Sequence, residues 1–106
     1  MTEYVSRRLF QGFICLHILH HAAKEPFFGG WMIEELSEHG YKLSPGTLYP
    51  ILHSLEQEGL LTHKNEKASG KVRKYYTITE LGKAALRESK HYLAELAGEI
   101  NAKEDK

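Results

Sequence analysis

The segment LSPGTLYPIL, residues 43–52, combines two prolines and a glycine with the start of a helical apolar repeat. From Leu48 onward, apolar residues recur at the i, i+3, i+4 and i+7 spacing of one helix face. Ser44 is a favoured N-cap, and Pro45 suits the first helical position, where no N–H partner is needed. The segment therefore predicts a helix that has Ser44 as its N-cap and Pro45 as its first residue and is stopped by Gly59, with a first turn that the second proline loosens.

Three further helices and a β-hairpin are predicted around this helix. Apolar residues at helical spacing occupy two segments before it and one near the end of the chain. Ser69 and Gly70 supply turn chemistry between two predicted strands, and Thr79 is a good N-cap for the last helix. The predicted elements are helices over 4–22, 31–39, 44–59 and 80–101 and strands over 60–66 and 71–78.

The order helix, helix, helix, hairpin, helix predicts the fold class. It is mainly α with a small β-hairpin, a winged helix-turn-helix followed by a C-terminal dimerisation helix. Residues 1–79 are expected to form the winged helix-turn-helix DNA-binding domain with its N-terminal helix, and residues 80–106 the dimerisation helix of the same single domain. A chain of 106 residues buries only a modest core, so association with a second copy is expected to add stability.

Apolar side chains on the first and last helices predict where a second copy packs. The first helix is apolar on more than one side. On the last helix, Leu86, Leu93 and Ile100 repeat every seven residues, a spacing suited to packing against another helix. The predicted homodimer interface comprises Leu9, Phe10, Phe13, Ile14, Leu86, Leu93, Leu96 and Ile100.

The formal net charge is zero, but the basic residues are concentrated in the middle of the chain. Residues 41–79 carry six lysines and arginines against three glutamates, whereas the segments on either side are slightly acidic. A solvated hairpin explains clustered lysines equally well. Beside a helix with a polar outer face, a basic hairpin predicts binding to double-stranded DNA. The predicted DNA-binding residues are Lys42, Ser44, Gly46, Thr47, Tyr49, His53, Lys67, Lys71, Arg73 and Lys74.

The side-chain chemistry suggests different roles within this DNA-binding set. Thr47 and His53 are candidates for base edges, whereas Ser44 and Tyr49 are expected to hold phosphates. The basic residues of the hairpin are expected to reach the DNA backbone or the flanking minor groove. Tyr76 alternates onto an apolar strand face, which predicts a place in the core instead of on DNA.

Two stretches, LSPGTLYPILHSLEQEGLL at 43–61 and GKVRKYYTITELGKAAL at 70–86, resemble the PadR family of bacterial transcriptional regulators. The combination of GTLYP, EGLL and RKYYTIT is far more specific than a generic helix-turn-helix pattern. The resemblance implies a dimer on a palindromic operator, usually a repressor, in the compact form with a single last helix. It also implies a small-molecule effector between the subunits, where this chain offers Phe10, Phe13 and Tyr92. These aromatic side chains could equally fill the dimer core, and the effector stays unidentified.

Three histidines, His17, His20 and His21, occupy positions i, i+3 and i+4 of the first helix. This spacing is compatible with a metal site. The neighbouring carboxylate, Glu25, lies beyond the predicted helix end, so histidines at an interface are the simpler interpretation. We accordingly predict no metal and no cofactor, and a pH-sensitive interface is a third possibility.

Other functional classes find less support in the sequence. A convincing Ser-His-Asp set, a glycine-rich phosphate loop and an HExxH motif are all missing, so an enzyme is not expected. A winged helix that binds another protein stays as an alternative, although a basic wing is not needed for it. The single Cys15 excludes an intrachain disulfide and, among apolar neighbours, predicts an inert thiol. The sequence contains neither a secretory signal nor an apolar run near the ~18 residues of a membrane span, which predicts a cytoplasmic protein.

Overall fold

Four α-helices and one antiparallel hairpin form the chain in a computed structural model that describes residues 3–102. The predicted order of elements and the predicted fold class are confirmed. Residues 1–2 and 103–106, which belong to the predicted domain, lie outside the described part of the chain. Within residues 3–102, no helix combines the length and apolar character that crossing a bilayer requires. The elements are α1 Glu3–Lys24, α2 Gly29–Glu38, α3 Pro45–Gln57, β1 Leu61–Ala68, β2 Lys71–Ile78 and α4 Glu80–Asn101.

The second helix begins at Gly29, two residues earlier than predicted. Phe28 precedes it with an extended backbone and ends the connector from α1. A β-carbon built on Gly29 would lie 2.3 Å from the hydroxyl oxygen of Tyr49, so only a glycine lets α2 and α3 approach this closely. Gly29 is therefore a packing residue of the helix, although its sequence context resembles a loop.

The third helix confirms the predicted start. Pro45 is its first residue, and the extended Ser44 accepts hydrogen bonds at its carbonyl from the N–H groups of Thr47 and Leu48, at 3.0 Å each. Pro50 lies inside the helix without interrupting it, and the loosening of the first turn stays a prediction. A proline at this point removes one backbone donor, and the buried apolar face of α3 is sufficient to keep the helix continuous.

The hairpin is longer than predicted because β1 continues to Ala68. Ser69 and Gly70 form the predicted turn, and their φ angles of 55° and 79° are both positive. Two-residue turns of this kind match the twist of antiparallel strands. The paired strands therefore extend as one twisted ribbon that carries its basic side chains away from the core.

One hydrophobic core joins the first three helices to the base of the hairpin and the start of α4. Tyr76 is fully buried, which confirms its predicted place, and its ring stacks on that of Phe27 at 5.6 Å between centres. These two residues also exchange backbone hydrogen bonds of 3.1 and 2.8 Å. The connector before α2 thus pairs with β2 and ties the hairpin to the helix-turn-helix unit.

Two residues assigned to the dimer interface lie in this core instead. Ile14 and Leu86 are 1% and 7% exposed within a single chain and pack among the other buried residues. An apolar repeat has the same spacing whether its partner is another helix of the chain or a second copy. Ile14 and Leu86 are therefore removed from the interface set.

The start of α4 is fixed by its cap and by a close backbone contact. The Thr79 hydroxyl accepts a hydrogen bond from the Gly82 N–H at 2.9 Å, as its prediction as an N-cap requires, and donates one to the Gly59 carbonyl at 2.6 Å. A β-carbon on Gly82 would lie 2.2 Å from the carbonyl oxygen of Leu60. The first turn of α4 therefore rests directly on the backbone that links α3 to β1.

Candidate DNA-binding surface

The outward side of α3 is polar, while its leucines are buried on the inward side. Gly46, Pro50, His53 and Gln57 follow one another at four-, three- and four-residue steps and are all exposed. Gly46 and His53 belong to the predicted DNA-binding set. Pro50 and Gln57 do not, although the same helical spacing would have included them.

Thr47 lies on the flank of α3 that faces α1. It is exposed at the rim of a cleft of about 480 Å³ between the two helices. The Ser44 hydroxyl donates to Thr47 Oγ1 at 3.3 Å and, within residues 3–102, makes no capping hydrogen bond to the N–H groups of α3. The helix therefore begins with backbone N–H groups that the Ser44 side chain does not cap, and the exposed Lys42 precedes them in the connector.

Cys15 lines the same cleft between α1 and α3. Its side chain is half-buried, and burial raises the pKa of the thiol. A raised pKa keeps the sulfur protonated at neutral pH, which agrees with the predicted inert thiol.

Tyr49, predicted as a phosphate contact, is also a packing residue. Its half-buried ring lies against Gly29 at the start of α2 and packs against the core. The polar hydroxyl suggested an outward position, but the neighbouring helix that covers the ring is not visible in the spacing of α3. Tyr49 is therefore a packing residue within one chain, and its phosphate contact stays a prediction.

The four hairpin residues of the predicted DNA-binding set divide between the two faces of the hairpin. Residues alternate between faces along a strand, and directly paired residues share a face. By the observed register, Lys67 and Lys74 share the face of the buried Tyr76, whereas Lys71 and Arg73 share the opposite face. All four are exposed. The predicted single finger of charge is thus two pairs, an inner pair (Lys67 and Lys74) and an outer pair (Lys71 and Arg73).

Arg73 is held in place by an aromatic side chain. Its guanidinium carbon lies 4.2 Å from the centre of the Phe28 ring, which also meets Tyr75 edge-on. A cation over an aromatic face is attracted by the electron density of the ring. The contact orients Arg73 along the outer face of the hairpin while it stays exposed.

The hairpin that follows α3 carries a positive formal charge. Between residues 64 and 74, five basic side chains stand against one acidic one. Glu56, the acidic residue within α3, hydrogen-bonds the ring of His63 on β1 and so turns toward the base of the hairpin. The outward side of α3 and the hairpin therefore present a surface suited to a polyanion.

A cluster of imidazoles joins α1 to α2. His17 and His21 on α1 meet His39, which follows α2, and one nitrogen from each ring lies within 4.8 Å of the others. Burial is the main cause that lowers the pKa of His17 and of His21. We name His17, His21 and His39 the histidine cluster.

The histidine cluster differs from the predicted group. His20 turns toward the α4 side of α1, where Lys90 is a neighbour, and His39 takes its place. The carboxylate is Glu35 instead of Glu25, with its Oε2 3.2 Å from His39 Nε2 and 3.4 Å from His21 Nε2. Sequence spacing within α1 gives no sign of His39, since the approach of α2 alone brings it there.

The remaining predicted interface residues leave a largely uncovered apolar surface. On α4, Leu93, Leu96 and Ile100 are 42%, 51% and 69% exposed, and Leu9 and Phe10 are exposed on α1. We call the three α4 residues the apolar stripe. Exposed apolar rows of this kind mark association surfaces.

A groove of about 410 Å³ lies between α1 and α4, next to the apolar stripe. Phe13 contributes to its wall and Lys90 provides a positive charge. Phe10 instead packs on Tyr41, with ring centres 5.1 Å apart, and the exposed Tyr92 lies outside the groove. In a single subunit, the three aromatic residues predicted for an effector therefore do not form one pocket.

A recognition helix with a polar outer side, beside a hairpin rich in basic residues, defines a winged helix-turn-helix protein of the DNA-binding class. The family model described as the transcriptional regulator PadR-like family matches residues 18–88. The chain is 52% identical over 85 residues to the transcriptional regulator Rv3488 of Mycobacterium tuberculosis, a match that covers 80% of this chain and 79% of that protein. The chain belongs to the PadR-like family and is a DNA-binding transcriptional regulator.

Solved structures of PadR-like proteins have the same fold. A PadR-like transcription factor from Bacteroides fragilis superimposes with a TM-score of 0.79 at 30% identity, over 92% of this chain and 96% of that one. A PadR-like regulator from Bacillus cereus gives a TM-score of 0.81 at 29% identity, over 89% of this chain and 93% of that one. The resemblance inferred from residues 43–86 is confirmed.

Proposed function

We propose that this protein is a homodimeric repressor that binds a palindromic operator sequence-specifically and is released by a small-molecule effector. The observations that carry the proposal are the polar outward side of α3 and the two basic pairs of the hairpin, whose base is joined to α3 by the Glu56–His63 hydrogen bond. Protein–DNA interfaces need both groups, because base contacts specify a sequence while phosphate contacts position the protein.

Residues of α3 are assigned to the major groove. Thr47 and His53 read base edges, and Gln57 extends the same surface, since side-chain amides pair well with adenine. Gly46 has no side chain and is exposed, so the tip of α3 fits close to the DNA backbone. Ser44 and Lys42, at the uncapped helix start, hold phosphates there.

The inner and outer basic pairs of the hairpin are assigned to phosphates. Each phosphate that is neutralised releases counterions, so log affinity falls with log salt at a slope of about −0.9 per contact. If about six phosphates are contacted by a dimer, the slope is near −5. This term acts on every DNA sequence equally.

The apolar stripe of α4 is assigned to the homodimer interface, together with Leu9, Phe10 and Phe13 of α1. Helix-turn-helix dimers place two recognition helices on successive turns of the major groove, and the two-fold axis of the protein then matches a palindrome. A stripe at heptad spacing suits packing against the same helix of a second copy.

The groove between α1 and α4 is assigned to the effector. Its wall is mostly apolar, and Lys90 suits the carboxylate of a planar aromatic acid. Because the groove adjoins the apolar stripe, a ligand there changes how the two subunits pack and thus how far apart their α3 helices lie. Such a ligand shifts the dimer from one arrangement of its subunits to another because it binds the two arrangements with different affinities.

Selection of bound sequences from random duplexes tests the proposal, followed by salt-dependent binding measurements on the recovered site. Thr47→Ala should change the preferred sequence at one position of each half-site, while Ser54→Ala, which removes an exposed hydroxyl on the same flank of α3, should not. Lys67→Gln/Lys74→Gln should weaken binding to operator and random DNA alike and make the salt slope shallower by about 1 for each lost contact.

Three results would count against the proposal. Equal loss on specific and random DNA for Thr47→Ala would remove its base-reading role. An unchanged operator complex in the presence of a panel of aromatic acids would remove the proposed effector class. Recovery of no enriched sequence would favour the alternative, a winged helix that binds another protein.

A further inference from the structure

The histidine cluster has a polar atom that the fold leaves without a partner. His21 Nε2 is shielded from solvent and, within residues 3–102, makes no hydrogen bond, although it lies 3.4 Å from Glu35 Oε2. Buried polar atoms are nearly always paired, so each exception needs an explanation such as a bound ion. The exception here occurs where three imidazoles and one carboxylate converge.

The spacing of these groups is close to that of a metal-ligand set. With zinc–nitrogen and zinc–oxygen bonds of about 2.0–2.2 Å, tetrahedral ligand atoms lie roughly 3.3–3.5 Å from one another. Glu35 Oε2 already lies 3.2 Å from His39 Nε2 and 3.4 Å from His21 Nε2. The three ring nitrogens lie within 4.8 Å of one another, so binding of one ion requires rotations about χ1 and χ2 to bring them together with Glu35.

The side chains around the histidine cluster favour neutral imidazoles. They also leave a path from solvent to the cluster. Trp31 meets the His21 ring edge-on at 5.5 Å, and Tyr41 meets the His17 ring at 5.3 Å. The side chains of His21 and Glu35 are 12% and 22% exposed, whereas that of His39 is 44% exposed and leaves a path from solvent. Neutral imidazole is the ligand form, and burial keeps His17 and His21 in it.

We propose that His17, His21, His39 and Glu35 form a binding site for one divalent transition-metal ion of the zinc class. Three imidazoles and a carboxylate are ligands that zinc, cobalt and nickel accept, and the carboxylate halves the charge of the ion. The bound ion ties α1 to α2 at the entrance to the connector that leads to α3. This inference goes beyond the proposed function and does not depend on it.

Metal titration of the purified, chelator-treated full chain tests the site without DNA. Cobalt should give the intense visible absorption of a four-coordinate ion, saturate at one ion per chain and be displaced by zinc. Zinc should also raise the thermal unfolding temperature, because a ligand that binds the folded state stabilises it. His39→Gln and Glu35→Gln should each lower the affinity at least tenfold and reduce the zinc-induced shift.

His20→Gln is the matched control, since it removes a histidine of α1 that faces α4. It should bind cobalt and zinc as the wild type does. Because His39 is exposed beyond the end of α2, His39→Gln is expected to fold, and an unchanged circular dichroism spectrum checks this. Absence of stoichiometric binding at micromolar metal, or equal binding by wild type and His39→Gln, would overturn the proposal. Failure of the protein to bind DNA would not affect the proposed metal site.

Discussion

The two halves of α4 share one apolar repeat but differ in what covers it. In the first half, Leu86 is buried and Gly82 rests on the backbone of Leu60. In the second half, the next repeats of the pattern, Leu93 and Ile100, are exposed. A heptad repeat therefore predicts a continuous apolar row and leaves open whether each part of the row meets its own chain or another one. The first half belongs to the subunit core, and the second half has the composition of an interface.

Charging the second half of α4 should have the largest effect. Leu93→Glu/Leu96→Glu places four acidic groups in the proposed dimer interface, where like charges would face each other without water. We expect a folded monomer and a loss of operator affinity of about a hundredfold or more, because simultaneous binding to two half-sites is lost. Sedimentation and DNA titration measure the two effects.

The matched control adds the same charge to the opposite side of α4. Ala84 and His91 are exposed and face away from the apolar stripe. Ala84→Glu/His91→Glu should stay dimeric and lose only the affinity that the four added acidic groups of the dimer cost through repulsion from DNA. Dissociation of this control as well would remove the distinction between the two sides of the helix.

Truncation of one leucine in each half should separate the two roles. Leu86→Ala should lower the free energy of unfolding by about 2–5 kcal/mol, as for other buried leucines. Leu93→Ala, measured at a concentration low enough for monomers, should change it by less than about 0.5 kcal/mol. Urea denaturation measures both, and a similar cost for both variants would contradict the observed difference in burial.

Addition of a methyl group at Gly82 tests the contact that fixes the first half. The new β-carbon would lie 2.2 Å from the Leu60 carbonyl oxygen, and backbone atoms there have little freedom to move. Gly82→Ala should therefore lower the unfolding free energy by about 1–3 kcal/mol despite the higher helix propensity of alanine. Denaturation by urea or heat provides the measurement, and an unchanged or raised stability would show that the close contact is wrong.

Gly98 in the second half of α4 gives a small effect with the opposite sign. A β-carbon built there meets no atom within 4 Å, so the helix propensities of glycine and alanine alone determine the change in stability. Gly98→Ala should raise the unfolding free energy by about 0.5–1 kcal/mol. A loss of stability, measured by the same denaturation, would indicate that another surface packs against this side of α4.

Local chemistry predicted much of the fold. The Ser44–Pro45 pair set the start of α3, Ser69–Gly70 set the turn of the hairpin, and Thr79 capped α4, each through backbone geometry that depends on a few neighbouring residues. Tyr76 was placed in the core by strand alternation alone. The PadR family was recognised from motifs that hold these same positions.

Positions that depend on the approach of distant elements were harder to predict. Tyr49 packs on α2 because Gly29 allows close contact, and His39 lies near α1 because α2 packs against that helix. The basic residues of the hairpin were predicted as one group, but the pleat divides them between two faces. Burial of Ile14 and Leu86 likewise depends on which surface of each helix the core covers.

The stoichiometry of the operator complex tests the central claim most directly. Sedimentation velocity of the protein with a duplex that carries one selected palindrome should give two chains per duplex at saturation. Leu93→Glu/Leu96→Glu should give one chain per half-site with much weaker affinity. A wild-type complex that saturates at a single chain per palindrome, with the free protein a monomer, would contradict the assignment of the apolar stripe to a second copy.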